Sequence, residues 1–221
     1  MTIKNSGKVR PRNAASLVIF RKYRNQYQVL MGRRGSKAKF KPGVYVFPGG
    51  IVERDDYVVQ PKKKLKTQYT RMMAVANSHR KANGLAMCAV REAFEEVGLT
   101  LVEKGQLNAV RNNTWQHFKQ LGLSPNLKLL DYLGRAITPP IQPIRFHARF
   151  FSINFEQMHG NILGDGELED IRWVRLDQSE KLEMMLVQKM IMETLAKRLS
   201  GLSAPAQKLF FSWGRINIKR S

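Results

Sequence analysis

The sequence predicts a mixed α/β fold in which helices cover a mixed β-sheet. Stretches of alternating apolar residues and stretches with helical periodicity follow one another without a regular βα alternation. A hydrophobic content of 43% and a charged content of 25% are typical of a soluble globular chain. Because 221 residues exceed one average domain but fall short of two, we expect one domain with a sizeable insertion.

The first elements are predicted strands. Alternation from 14 to 20 predicts a strand, and residues 27–32 predict its hairpin partner. Residues 44–47 predict a third, short strand, which Pro48-Gly49-Gly50 would end as a turn. These three strands begin the sheet.

Residues 57–84 differ in character and are interpreted as the insertion. They begin with a basic, proline-containing stretch, continue with a predicted short helix over about 68–78, and end in a predicted break at Asn83-Gly84. Their Lys and Arg residues suggest a lid that selects the substrate. The alternative is an inert surface excursion.

The second half begins with a predicted amphipathic helix over 85–97, because Leu85, Ala89, Ala93 and Val97 recur at intervals of four. Gly98 is its predicted C-terminal cap. The remaining predicted elements are a helix at 114–121 ended by Pro125, strands at 129–137, 145–155 and 171–174, and a long helix at 180–199 ended by Gly201. The predicted organisation is a basic extension at 1–13, a domain at 14–200 with its insertion, and a basic tail at 201–221 packing on that domain.

The net charge of +21 is unusual, and it is concentrated at both ends of the chain. Residues 1–50 hold twelve Lys and Arg and no acid. Such ends favour a polyanionic partner such as nucleic acid, although a generally basic background explains them equally well. The single cysteine, Cys88, excludes an internal disulfide and fits the cytoplasm, and no apolar run is long enough for a membrane span. A weak organellar transit peptide is a less favoured alternative for residues 1–13.

Glu92, Glu95 and Glu96 have the spacing i, i+3 and i+4, which places them on one face of the predicted helix. Like charges at this spacing destabilise a helix by roughly 0.2–0.5 kcal/mol per pair. A hard divalent cation such as magnesium requires carboxylate clusters of this kind. A solvated acidic face is the alternative.

The local order of residues separates these alternatives. Gly49-Gly50 follows a strand, and the later segment reads Arg91-Glu92-Ala93-Phe94-Glu95-Glu96-Val97-Gly98-Leu99. This order resembles the Nudix hydrolases, whose signature is Gly-x5-Glu-x7-Arg-Glu-U-x-Glu-Glu-x-Gly-U, where U is a bulky aliphatic residue. About 27 residues are inserted between the two halves, as in a subgroup that includes coenzyme A diphosphatase-like members. The first Glu of the signature has two candidate counterparts, Asp56 at the right distance from Gly50 and the nearby Glu53.

The resemblance implies a Nudix-type α/β/α sandwich and a site for Mg²⁺ or Mn²⁺. The implied metal ligands are Glu92, Glu95, Glu96 and a backbone oxygen of Gly49, with Gly50 as the alternative. Arg91, Gly50 and Gly98 are implied to support the site structurally. The implied catalytic set is Glu95, Glu96 and a distal glutamate, for which Glu167 is preferred over Glu169.

The resemblance further implies a metal-dependent hydrolase that cleaves the phosphoanhydride bond of a nucleoside diphosphate linked to another moiety. The candidate moieties are a coenzyme A-like group, a second nucleotide or a sugar. Basic residues after or within strands are candidates for substrate binding: Arg33, Arg34, Arg145 and Arg149. The alternative is a catalytically inactive Nudix-fold module that binds RNA or a nucleotide as a sensor. A homodimer is compatible with either function.

Overall fold

The computed structural model describes residues 9–38, 40–108, 111–212 and 215–220. The greater part of the predicted basic extension, residues 1–8, therefore lies outside the described residues, as do 213–214 and 221 in the predicted tail. Its strands are β1 (Arg12–Tyr23), β2 (Gln26–Arg34), β3 (Tyr45–Val46), β4 (Gly49–Ile51), β5 (Leu99–Thr100), β6 (Val102–Lys104), β7 (Leu123–Pro125), β8 (Asp131–Ile137), β9 (Phe146–Asn154), β10 (His159–Gly160), β11 (Leu168–Arg175), β12 (Gln207–Ser212) and β13 (Arg215–Arg220). Its α-helices are α1 (Tyr69–Met72), α2 (His79–Val97), α3 (Asn113–Gln120) and α4 (Leu186–Leu199), with 3-10 turns at Asp55–Tyr57, Leu127–Leu129, Phe155–Gln157 and Leu176–Lys181.

The main sheet has the order β11-β2-β1-β9-β8-β12-β13, with β3 beside β2 and β4 beside β1. It is mixed, because β1 pairs with β9 and β12 pairs with β8 in parallel, whereas the other neighbours are antiparallel. Helices cover both faces. Leu17 and Ile19 of β1 face the core formed with α2, and Val18 between them faces the core formed with α4. The predicted mixed α/β fold with a mixed sheet is confirmed.

Two predicted turns are not turns. Gly49 and Gly50 belong to β4, which pairs with Ser16 and Ala15 of β1. The predicted break at Asn83-Gly84 lies inside α2, which starts six residues earlier than predicted, at His79, behind the capping side chain of Ser78. Gly84 has a packing role there, since a Cβ atom would come within 2.2 Å of the Tyr57 ring.

Other element boundaries also differ from the prediction. The short helix predicted over 68–78 is a single turn, α1, and the long C-terminal helix starts at Leu186 because a 3-10 turn occupies 176–181. Pro125 lies in β7 and does not end α3. The cap at Gly98 is confirmed: its φ of 72° is left-handed, and its N–H donates to the carbonyls of the last helical turn.

The segment 57–84 contributes to the core of the fold. Six of its apolar side chains are buried together with α2: Val59, Leu65, Tyr69, Met73, Val75 and Ala82. Two of its lysines pair with carboxylates elsewhere on the fold, Lys63 with Glu103 at 2.8 Å and Lys66 with Asp131 at 2.7 Å. The segment is therefore built into the domain, and it also supplies the first turns of α2.

The chain beyond α4 returns to the sheet. Gln207, Lys208 and Leu209 of β12 pair with Gly134, Arg135 and Ala136 of β8. A search for membrane-spanning segments among the described helices finds none that is long and apolar enough to cross a bilayer.

Candidate active site

A half-buried glutamate of α2, Glu92, and a buried one, Glu96, face the glycines of β4. The Gly49 N–H donates to Glu96 Oε2 at 2.7 Å. Glu92 lies so close to Gly50 that an added Cβ would sit 2.4 Å from its Oε1 atom. Glycine at position 50 therefore lets the strand backbone approach the carboxylate, and any side chain there would displace Glu92.

The positive groups around these two glutamates do not fully compensate their negative charge. Burial raises the pKa of Glu92 to about 7 despite the pull of Arg91, and the charge of Glu95 adds to the rise. Burial also raises the pKa of Glu96 well above its usual value, and the charges of Glu92 and Glu167 act in the same direction. A bound cation would relieve this repulsion, so the two carboxylates fit a hard divalent ion.

Arg91 connects the two halves of the signature. Its guanidinium donates to both carboxylate oxygens of Asp56, each at 3.0 Å, and to the Ile51 carbonyl at 3.0 Å. It also pairs with Glu92 and Glu95 at 2.8 Å. Although burial alone would lower it, the pKa of Arg91 is raised, because the bonds and charge of Asp56 outweigh the loss of water. The C-terminal half of α2 is thereby tied to the segment that follows β4.

Asp56, and not Glu53, is the acid that meets Arg91. Asp56 is completely buried and also accepts from Trp115 Nε1 at 2.9 Å and from the Glu53 N–H at 2.9 Å. Glu53 itself is exposed and accepts from Asn112 Nδ2. The spacing from Gly50 to Asp56 is that of the signature, so the extra residues lie entirely between Asp56 and Arg91.

Glu95 is held by α3 as well as by Arg91. It accepts from Arg91 Nη1 at 2.8 Å and from Thr114 Oγ1 at 2.5 Å. Over the part of the chain that the structure describes, no three Asp, Glu, His or Cys side chains form a group that could hold a metal ion. The arrangement therefore offers two carboxylates and the β4 backbone to an ion, with Glu95 turned toward Arg91 and α3.

The distal acids lie at the edge of this site. Glu167 is exposed in the loop before β11, and its negative charge contributes to the raised pKa of Glu96. Glu169 pairs with Arg33 at 3.2 Å, which places that arginine at the same edge. Arg34 follows on β2, and its buried Nε atom has no hydrogen-bond partner among the described residues.

Arg145 and Arg149 are not brought to the glutamates. Arg149 is buried and donates to the Met73 carbonyl and to Asn13 Oδ1. Arg145 donates to the carbonyls of Val9 and Thr138. Alternation predicted that the two arginines share a face, but Arg145 lies just before β9, and the segment that contains Met73 covers Arg149.

Sequence reasoning missed Thr114 and Trp115, which hold Glu95 and Asp56 from α3. The available signal was a helix start: the Asn112 side chain caps α3 by accepting from the Trp115 N–H. Nothing in the sequence shows that this helix packs against the charged cluster.

This fold and this sequence are similar to those of known proteins. No model of a protein family matches the chain. The crystal structure of a Nudix hydrolase from Alicyclobacillus acidocaldarius superimposes with a TM-score of 0.68 at 25% identity, covering 89% of this chain and 98% of that one. A Caenorhabditis elegans protein assigned as nudix hydrolase 7 is 28% identical over 174 residues, which are 74% of this chain. The chain is therefore similar to Nudix hydrolases in both sequence and fold.

A second curated relative is the acyl-coenzyme A diphosphatase NUDT19 of Xenopus laevis, which is 29% identical over an alignment of 144 residues that covers 55% of this chain. The matches span 51% of the C. elegans protein and 37% of the X. laevis protein, so this chain covers about half or less of either relative. This chain has aspartate at position 56, where the Nudix signature has glutamate.

Proposed function

We propose that this chain is a metal-dependent hydrolase that cleaves the phosphoanhydride bond of a nucleoside diphosphate linked to another moiety. The observation that carries the proposal is the pair Glu92 and Glu96, half-buried and buried respectively, which packs against the glycines of β4 with raised pKa values. Buried carboxylates that repel each other cost stability, and they are typical of sites that bind cations or transfer protons.

In this proposal, Glu92, Glu96 and the Gly49 carbonyl hold Mg²⁺ or Mn²⁺. The bound ion neutralises the charge of the phosphoanhydride and lowers the pKa of water. Arg91 fixes the direction of the glutamates through Asp56. Glu95, Glu96 and Glu167 are the candidate proton acceptors, and the exposed Glu167 is the one open to solvent. Arg33, and Arg34 after it, are the candidate contacts for the substrate phosphates.

A coenzyme A-like substrate is the first to test, because one relative carries the name of an acyl-coenzyme A diphosphatase. Dinucleotides and nucleotide sugars are the other candidates. Location in the cytoplasm, nucleic-acid binding and dimerisation remain predictions from the sequence.

The experiment compares Glu96→Gln with wild type across a panel of these three substrate types, with Mg²⁺ or Mn²⁺ added. We expect kcat to fall by at least about 100-fold for the substrate that wild type cleaves. The fold should be kept or stabilised, because glutamine can still accept from the Gly49 N–H and a like-charge contact is removed. Glu156→Gln is the matched control, since Glu156 is exposed on another turn of the fold.

Full activity in Glu96→Gln would refute the assigned role of that residue. No metal-dependent release from any member of the panel by wild type would refute the hydrolase proposal and favour the binding module.

A further inference from the structure

A second concave site lies at the opposite end of α2 from the glutamates. It is a cavity of about 590 Å³, within the size range of small-molecule sites. It is lined by Asn13, Arg54, Tyr57, Ala74, Val75, Ala76, Ser78, Arg80, Lys81, His147 and Arg149. Because an α-helix rises about 1.5 Å per residue, Lys81 and Glu92 are about 17 Å apart along α2. The cavity is therefore separate from the candidate active site.

The lining is cationic and lacks carboxylates. Arg54, Arg80, Lys81 and Arg149 contribute four positive charges, and no Asp or Glu belongs to the lining. None of the four forms an ion pair within the described ranges. Arg80 donates instead to the Tyr57 carbonyl at 3.2 Å.

Arg149 shows that this charge is not confined to the surface. It is only 2% exposed, yet all four of its hydrogen bonds go to neutral oxygens, those of Met73, Asn13 and His147. Burial and the nearby Arg135 lower the pKa of Arg149 to about 10. A buried guanidinium without a counter-ion is costly, and an anion in the cavity would compensate it.

The other lining residues favour an anion with an organic part. Burial and the charge of Arg149 lower the pKa of His147 to about 3, so this side chain is neutral at physiological pH. Asn13, Tyr57 and Ser78 offer neutral polar groups, and 74–76 forms an apolar wall. Ala74 and Ala76 have left-handed φ values of 54° and 51°, a conformation that costs energy in residues other than glycine.

We propose that this cavity binds the phosphate group of a small organic phosphate ester, with Arg54, Arg80, Lys81 and Arg149 around the phosphate. The site is distinct from Glu92 and Glu96, and the proposal does not depend on the hydrolase proposal. Arginine and lysine are the side chains that bind phosphate in proteins, and apolar residues beside them suit the esterified group.

The test measures binding of phenyl phosphate and of inorganic phosphate to the full chain by titration calorimetry, with EDTA present to exclude metal. The cavity variant is Arg54→Glu with Lys81→Glu. Both side chains are exposed, and glutamate three residues after Ser78 forms a capping box, so α2 should be retained. The matched control is Lys119→Glu with Lys128→Glu, which changes the net charge equally at exposed positions outside the cavity.

We expect one phenyl phosphate per chain in wild type, unchanged binding in the control, and at least about tenfold weaker binding in the cavity variant, since 1.4 kcal/mol corresponds to a factor of ten. Tighter binding of phenyl phosphate than of inorganic phosphate would identify an ester site. Equal binding of the two would refute the organic part of the proposal.

Absence of binding in wild type would overturn the proposal, and so would equal loss in the cavity variant and the control. Glu96→Gln separates the two sites, because it should abolish hydrolysis and leave phenyl phosphate binding unchanged. A loss of phenyl phosphate binding in that variant would place the ligand at the glutamates and refute a second site.

Discussion

Replacing Asp56 by asparagine removes the charge that anchors Arg91 while keeping the size of the side chain. Asp56 is completely buried and Arg91 is 2% exposed, so water cannot solvate the guanidinium of Arg91 once the carboxylate is lost. Breaking a buried pair in this way typically costs about 3–5 kcal/mol. Glu92 and Glu95 still contact Arg91, so we expect the lower end, about 3 kcal/mol. For a chain of this length, the melting temperature would fall by about 6–12 °C.

The assay is urea unfolding followed by the fluorescence of the tryptophans, which include Trp115 beside Asp56. Asp177→Asn is the control, because it removes the same charge from an exposed pair with Arg175 and should leave the midpoint almost unchanged. If Asp56→Asn unfolds at the same urea concentration as this control, the ion pair does not hold the two halves of the signature together.

Three further predictions concern other parts of the molecule. Met73→Ala should cost about 2–5 kcal/mol of unfolding free energy in urea, because Met73 is fully buried within 57–84; a negligible loss would mean that the segment packs weakly. The pKa of His147 is lowered to about 3 in the folded state, whereas the unfolded chain binds the proton near pH 6.5. This difference does not change the stability above about pH 6.5, and it lowers the stability as the pH falls from 6.5 toward 3. In urea unfolding, the stability of His147→Gln relative to wild type should therefore be higher at pH 5 than at pH 7.5. The same relative stability at both pH values would contradict a buried neutral imidazole. Gly50→Ala should abolish metal-dependent hydrolysis with an unchanged circular dichroism spectrum, because its Cβ would meet the Glu92 carboxylate; activity equal to wild type would show that Glu92 can move without consequence.

The sequence predicted the strands and the helix that carries the glutamates because their side chains are patterned. Alternation located β1 and β2, and intervals of four located most of α2. Glycines carry no such pattern, so β4 was read as a turn although its backbone pairs with β1. Gly84 was read as a break for the same reason, since its contact with Tyr57 depends on tertiary packing.

The candidate site was also predictable from the sequence only in part. Helical spacing predicted that Glu92, Glu95 and Glu96 share a face, but the hydrogen bond that distinguishes Glu95 comes from Thr114 on α3. Asp56 and Glu53 were both candidates for the first acid of the signature, and the buried ion pair with Arg91 identifies Asp56. Contacts between distant segments set these details, and local patterns do not contain them.

The parallel pairing of β1 with β9 governs when this protein can fold. Residues 12–20 at the centre of the sheet lie beside 146–154, so the two central strands meet only after the intervening chain has been synthesised. Until then β1 can pair only with β2 and β4, and a nascent chain would expose the strand edge that β9 later covers. Distant strand pairings of this kind slow folding, so synthesis in the cell is expected to depend on chaperones more than the stability of the finished fold would suggest.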